Sequence, residues 1–83
     1  MKLLYFAWVR EHVGTPSEEI ALPDGVATVG DLIAWLAGRG DGYAAAFADT
    51  ALVRAAVNQE HVDPLHPVRD GDEVAFFPPV TGG

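Results

Sequence analysis

The group in this sequence best placed for chemistry is its last carboxylate, at the end of Phe76-Phe77-Pro78-Pro79-Val80-Thr81-Gly82-Gly83. Adjacent prolines offer no amide hydrogen, so Pro78-Pro79 ends strand pairing and favours an extended exit. Gly82 and Gly83 carry no side chain, so the end can enter a channel barely wider than a backbone. Extended, residues 78–83 reach roughly 20 Å at about 3.3 Å per residue. A carboxylate is a poor electrophile and needs activation. Attack of the Gly83 carboxylate on the α-phosphorus of ATP would expel pyrophosphate and leave an acyl-adenylate. A sulfur donor could then displace AMP and leave a thiocarboxylate. The chain has no cysteine, which removes disulfides, thiolate metal sites and a side-chain persulfide together. Any sulfur handled here must ride on the terminal carboxyl. A bare Gly-Gly end is as readily a passive terminus, since glycine makes up about 7% of residues in general. Phe76-Phe77-Pro78-Pro79-Val80 gives the pair weight, because apolar residues beside a terminus are a liability unless a partner covers them.

Other candidate groups carry less. His12, His61 and His66, with Asp63, have the chemistry of metal ligands, but Pro64 and Pro67 break the regular spacing that would aim them together. Gly38-Arg39-Gly40-Asp41-Gly42 follows a helix and lacks the Lys-Ser/Thr of a nucleotide loop, so it reads as a flexible helix C-terminus. Asp70, Asp72 and Glu73 supply too few oxygens for calcium and fit a tight turn instead. Glu18-Glu19 reads as a solvated strand edge. Trp35 falls one position outside its helix stripe and reads as a partly exposed packing residue. No serine or threonine sits with a histidine and an acid in a catalytic arrangement, so the chain is expected to catalyse nothing alone.

The elements that must hold the tail follow from periodicity. Leu3–Val9 is aromatic and continuous and reads as a largely buried strand. Gly14-Thr15-Pro16-Ser17 turns the chain into a second strand, Glu18–Leu22, expected to pair with the first as a hairpin. Thr28 and Asp31 form a capping-box pattern, and Val29, Leu32, Ile33 and Leu36 recur at helical spacing over Val29–Ala37. Tyr43–Ala48 has the composition of a further short turn of helix. Ala51–Val57 alternates as a strand, His61-Val62 as a shorter one, and Asp70-Gly71-Asp72 feeds a final strand, Glu73–Phe77. One helix over one sheet is the economical burial of a single apolar stripe. The expected class is therefore α+β, a β-grasp (ubiquitin-like) fold with a mixed sheet of four to five strands and one main helix on one face. Residues 1–77 form the domain and residues 78–83 the extended tail.

Composition narrows the partners. Eighty-three residues with 49% hydrophobic content suffice for one small core. The net charge is −7, and Lys2, Arg10, Arg39, Arg54 and Arg69 are scattered. Nucleic acid and anionic membrane surfaces both require clustered cations, so neither is an expected partner. No apolar stretch is long enough to span a bilayer, and the N-terminus does not read as a signal peptide, so the cytoplasm is the expected location.

Tyr5-Phe6-Ala7-Trp8-Val9-Arg10-Glu11 with Gly14, then Ala56-Val57-Asn58-Gln59, then Asp70 through Gly83, resemble the small, sulfur-carrier subunits of molybdopterin synthase. The match runs from the first strand to the last residue; its terminal block is specific and Pro23–Thr50 is generic. The resemblance implies that Gly83 is adenylated by an ATP-dependent activating enzyme and receives sulfur from a donor protein as a thiocarboxylate. It implies further that the tail, Pro78, Pro79, Val80, Thr81 and Gly82 included, enters a large catalytic subunit and gives sulfur to cyclic pyranopterin monophosphate, building molybdopterin. The implied assembly is a heterotetramer in which the large subunit catalyses and this chain binds no cofactor, ATP being used by the activating enzyme. Phe6, Arg10 and Phe77 match positions the family uses against its partners, while His61 stands where the family often has an aliphatic residue. The tail chemistry also admits a carrier for thiamine or sulfur-amino-acid synthesis, a protein modifier joined to lysines, or a binding module with an inert end.

Overall fold

Alternation along the last strand organises the sheet. The computed structural model describes residues 1–79, and in it Glu73–Phe77 buries Val74 and Phe76 on one face and leaves Glu73, Ala75 and Phe77 half-buried on the other. The elements run β1 (Lys2–Tyr5), α1 (Ala7–Val13), β2 (Ser17–Glu19), α2 (Val29–Ala37), α3 (Asp41–Ala46), a 3-10 turn (Thr50–Leu52), β3 (Arg54–Val57), β4 (Glu60–Val62) and β5 (Glu73–Phe77). The sheet order is β2-β1-β5-β3-β4, which makes β5 the central strand. It pairs in parallel with β1, Leu3 opposite Val74 and Tyr5 opposite Phe76, and antiparallel with β3, Arg54 opposite Phe77. β1–β2 and β3–β4 are antiparallel. This five-stranded mixed sheet with its main helix on one face is the α+β, β-grasp arrangement that the element order implied.

The helix forms where its signals lie. The Thr28 hydroxyl accepts from the Asp31 amide at 3.1 Å, and the Asp31 carboxylate accepts from the Ala27 and Thr28 amides at 3.0 and 3.1 Å. The stripe Val29, Leu32, Ile33 and Leu36 is buried against Leu3, Tyr5, Val74 and Phe76 of the sheet. Phe76 stacks on Tyr5, ring centroids 6.2 Å apart, and meets Phe47 edge-on at 5.2 Å.

Several expectations need correction. The continuous apolar run Leu3–Val9 is not one strand. The chain leaves the sheet at Phe6, turns at Ala7 with φ 53°, and winds into α1, which buries Val9 and half-buries Trp8 and Val13. A short apolar run is equally compatible with a strand or a buried helix turn, and the core beyond the strand end selects the helix. Gly14, at φ 92°, closes α1 with its amide on the Arg10 carbonyl at 2.8 Å. β1 and β2 therefore pair through an intervening helix, and β2 is shorter and earlier than Glu18–Leu22.

The glycine run Gly38–Gly42 is also more than a frayed end, for it opens α3. Gly42 packs so closely on the His12 carbonyl of α1 that any side chain there would clash. The start of Ala51–Val57 is likewise a 3-10 turn, capped by the Asp49 carboxylate on the Ala51 amide, and the strand begins at Arg54.

Glu18 is not a solvated edge residue. Its carboxylate accepts from the Tyr5 hydroxyl at 2.8 Å, the Tyr43 hydroxyl at 2.7 Å and the Arg39 guanidinium at 2.7 Å. Arg39 lies over the rings of Tyr43 and Trp35, 4.6 and 5.0 Å from their centroids. One side chain thus ties β2 to β1, to α3 and to the segment after α2. Partial burial alone would push the Glu18 carboxyl up, but the hydrogen bonds from Tyr43, Arg39 and Tyr5 outweigh it and hold the carboxyl below its usual range. Burial first, and then Glu18 itself, raise the Tyr5 phenol, so it stays a donor.

Because the folded carboxyl is the stronger acid, its stabilisation is whole above the ordinary carboxylate value of about 4.3 and is lost as pH falls through the folded value. Glu18→Gln should cost about 1–3 kcal/mol at pH 7 in urea unfolding, and the deficit should shrink towards pH 3.

Candidate functional site

The central strand delivers the chain to the edge of the molecule. β5 ends at Phe77, and Pro78 and Pro79 follow outside the sheet, half-buried. Phe6 continues the alternation of β1 onto the outer face. Its amide donates to the Phe76 carbonyl at 3.0 Å, which fixes it beside the end of β5. Phe6 is 48% exposed. Phe6 and Phe77 therefore flank the point where the chain leaves the sheet. Arg10 is exposed one helical turn beyond Phe6, its amide donating to the Phe6 carbonyl at 3.4 Å. Val80, Thr81, Gly82 and Gly83, expected to carry the arm and the reactive carboxylate, lie outside the described residues.

The outer face of the sheet extends this patch in a way that sequence reading missed. Leu4, Ala75, Ala56 and His61 form one row across β1, β5, β3 and β4. Ala56 is buried yet lies outside the main core cluster. The His61 ring sits 5.1 Å from that of Phe77. Small side chains at Ala75 and Ala56 leave the row low, so Phe77 and Phe6 stand at one border of it. The strand alternation in the sequence holds the signal, but only the strand order turns it into a surface.

The other candidate groups disperse. His12 meets Trp8 edge-on, His61 packs on Phe77, and the His66 carbonyl accepts from the Val29 amide at the start of α2. Among the described residues no three His, Cys, Asp or Glu side chains gather into a metal-binding group. The Asp72 carboxylate accepts from the Arg69 amide at 2.8 Å and from the Asn58 side chain at 3.1 Å, tying the turn before β5 to the β3–β4 turn. Asn58 and Gln59 both have positive φ, as a two-residue type I′ hairpin requires. A groove of about 820 Å³ opens between α2 and the β3–β4 hairpin, lined by Val29, Ile33, Val53 and Val62 among others. Phe6, Phe77, Pro78 and Pro79 are not part of its lining. No helix among the described residues is long and apolar enough to cross a membrane.

Comparison with known proteins gives this geometry a context. Residues 3–83 match the model of the ThiS family. The chain is 52% identical over 83 residues to the molybdopterin synthase sulfur carrier subunit of Escherichia coli, covering 100% of this chain and 99% of that protein. It is 36% identical over 91 residues to small archaeal modifier protein 3 of Haloferax volcanii, covering 100% of this chain and 98% of that protein. The crystal structure of SAMP1 from Haloferax volcanii superposes with a TM-score of 0.72 at 29% identity, covering 100% and 98% of the two chains.

The two neighbouring phenylalanines should respond very unequally to truncation. Phe76→Ala, inside the core, should cost about 3–5 kcal/mol in urea unfolding. Phe77→Ala, on the outer face, should cost about 1 kcal/mol or less.

Proposed function

The chain belongs to the ThiS family, and from that premise we propose that it is the sulfur-carrier subunit of a molybdopterin synthase, with the Gly83 carboxylate as its reactive group. One observation carries the reading. The central strand of a fold shared with that family leads directly into the Pro78-Pro79 exit between exposed Phe6 and half-buried Phe77, in a chain 52% identical end to end to such a subunit.

In this proposal an activating enzyme brings the Gly83 carboxylate to the α-phosphorus of ATP, pyrophosphate leaves, and an acyl-adenylate forms. A donor protein's sulfur displaces AMP, and the terminus becomes a thiocarboxylate. The loaded tail then enters the large subunit and transfers sulfur to cyclic pyranopterin monophosphate, within a heterotetramer in the cytoplasm. The chain's own part is mechanical and electrostatic. It holds the arm on its most securely paired strand, offers Phe6 and Phe77 as apolar contacts, and presents the exposed cation of Arg10 beside them. The chain itself binds no cofactor.

Mass spectrometry after incubation with ATP, a sulfide source and the activating enzyme should show one oxygen exchanged for sulfur at Gly83. Adding one residue after Gly83 should abolish that exchange with the melting temperature unchanged. An unmodified mass with partner enzymes proven active would overturn the reading. The likeness to a small archaeal modifier protein favours a second one, in which the same adenylate is captured by lysines. Conjugates of higher mass that survive reducing denaturation would support it.

A further inference from the structure

The outer face that carries Phe77 contains one titratable ring. His61 ends the row Leu4-Ala75-Ala56-His61, and its ring lies 5.1 Å from that of Phe77, tilted by 53°. Phe77 is the last residue of β5, so the imidazole touches the base of the arm directly. Any partner that covers Phe77 must also cover or displace this ring. A neutral imidazole packs on an aromatic face much as another apolar ring does. An imidazolium gains some attraction to the Phe77 ring, but it loses far more hydration when a partner closes over it.

Charged side chains of both signs stand around the ring. Arg54 of β3 stands opposite Phe77 in register, next to Ala56, the partner of His61. Asp63 follows β4 two residues beyond His61, and the two line one end of the groove together with Arg54. The lining that holds the ring thus carries one positive and one negative side chain. Glu73 of β5 and Lys2 of β1 face each other at the far end of the sheet, and Glu60, next to His61 on β4, is exposed. No hydrogen bond or ion pair engages the imidazole among the described residues.

We propose that His61 sets the affinity of this face for the large subunit through its charge, with the neutral imidazole admitting the partner and the imidazolium excluding it. The proposal rests on the functional reading above and adds to it a proton-dependent gate at the base of the arm. Acidification would therefore weaken docking.

The test is the dissociation constant for purified large subunit, measured by calorimetry from pH 8 to pH 5.5 with the intact chain, His61→Leu, His61→Gln and His12→Leu. The intact chain and His12→Leu should weaken about tenfold across that range relative to His61→Leu. His61→Leu and His61→Gln should share a flat ratio and bind at least as tightly as the intact chain at pH 8. A slope that survives in His61→Leu, or an intact chain with no slope beyond that variant, overturns this inference and leaves the functional reading standing. Absence of binding at every pH removes both. Dimerisation of the chain alone through Phe77, seen by sedimentation and lost in Phe77→Ala, would also overturn it, since the face would then serve a second copy.

Discussion

Everything in this molecule hangs from the pairing of β5 between β1 and β3. A strand with ladders on both sides exchanges its backbone hydrogen bonds along both edges and buries one face under α2. Pulling it out would dismantle the sheet and expose Val74 and Phe76 together. The segment that follows it is therefore anchored at one end by the most cooperative unit of the fold, and the prolines release it abruptly.

The same pairing decides what surrounds the exit. Because β1 runs parallel to β5, both strands finish at one end of the sheet, and Phe6 arrives beside Phe77. An antiparallel arrangement would have put the start of β1, with Lys2, there instead. The turn at Ala7 then lifts the chain off the sheet into α1, which places Arg10 near Phe6 without lengthening the sheet. Apolar contacts at the exit and a cation at its margin are consequences of strand direction more than of local sequence.

Away from the exit, stability depends on an acceptor shared among distant donors. Glu18 gathers Tyr5, Tyr43 and Arg39 around one carboxylate. It sits on the short edge strand β2, whose ladder spans only a few residues and would otherwise be the weakest part of the sheet. Charge elsewhere is mostly a matter of turns, with Asp31, Asp49, Asp63 and Asp72 each accepting from nearby backbone amides. The acidic composition is thus in good part structural.

The sequence by itself determined the helix over Val29–Ala37, because its capping box and stripe act within a few residues of one another. It also determined the turn at Asp70-Gly71-Asp72 and the last strand with its proline stop. Those signals rest on steric and hydrogen-bonding rules local to the chain. Only the tertiary structure split Leu3–Val9 into a strand and a helix, since an apolar run does not say whether a sheet or a helix pocket will receive it. Only the fold recruited Glu18, whose partners lie 13 to 25 residues away, and set His61 against Phe77. In each case the deciding contact joins residues that no local period relates, and the strand order of the sheet is what brings them together.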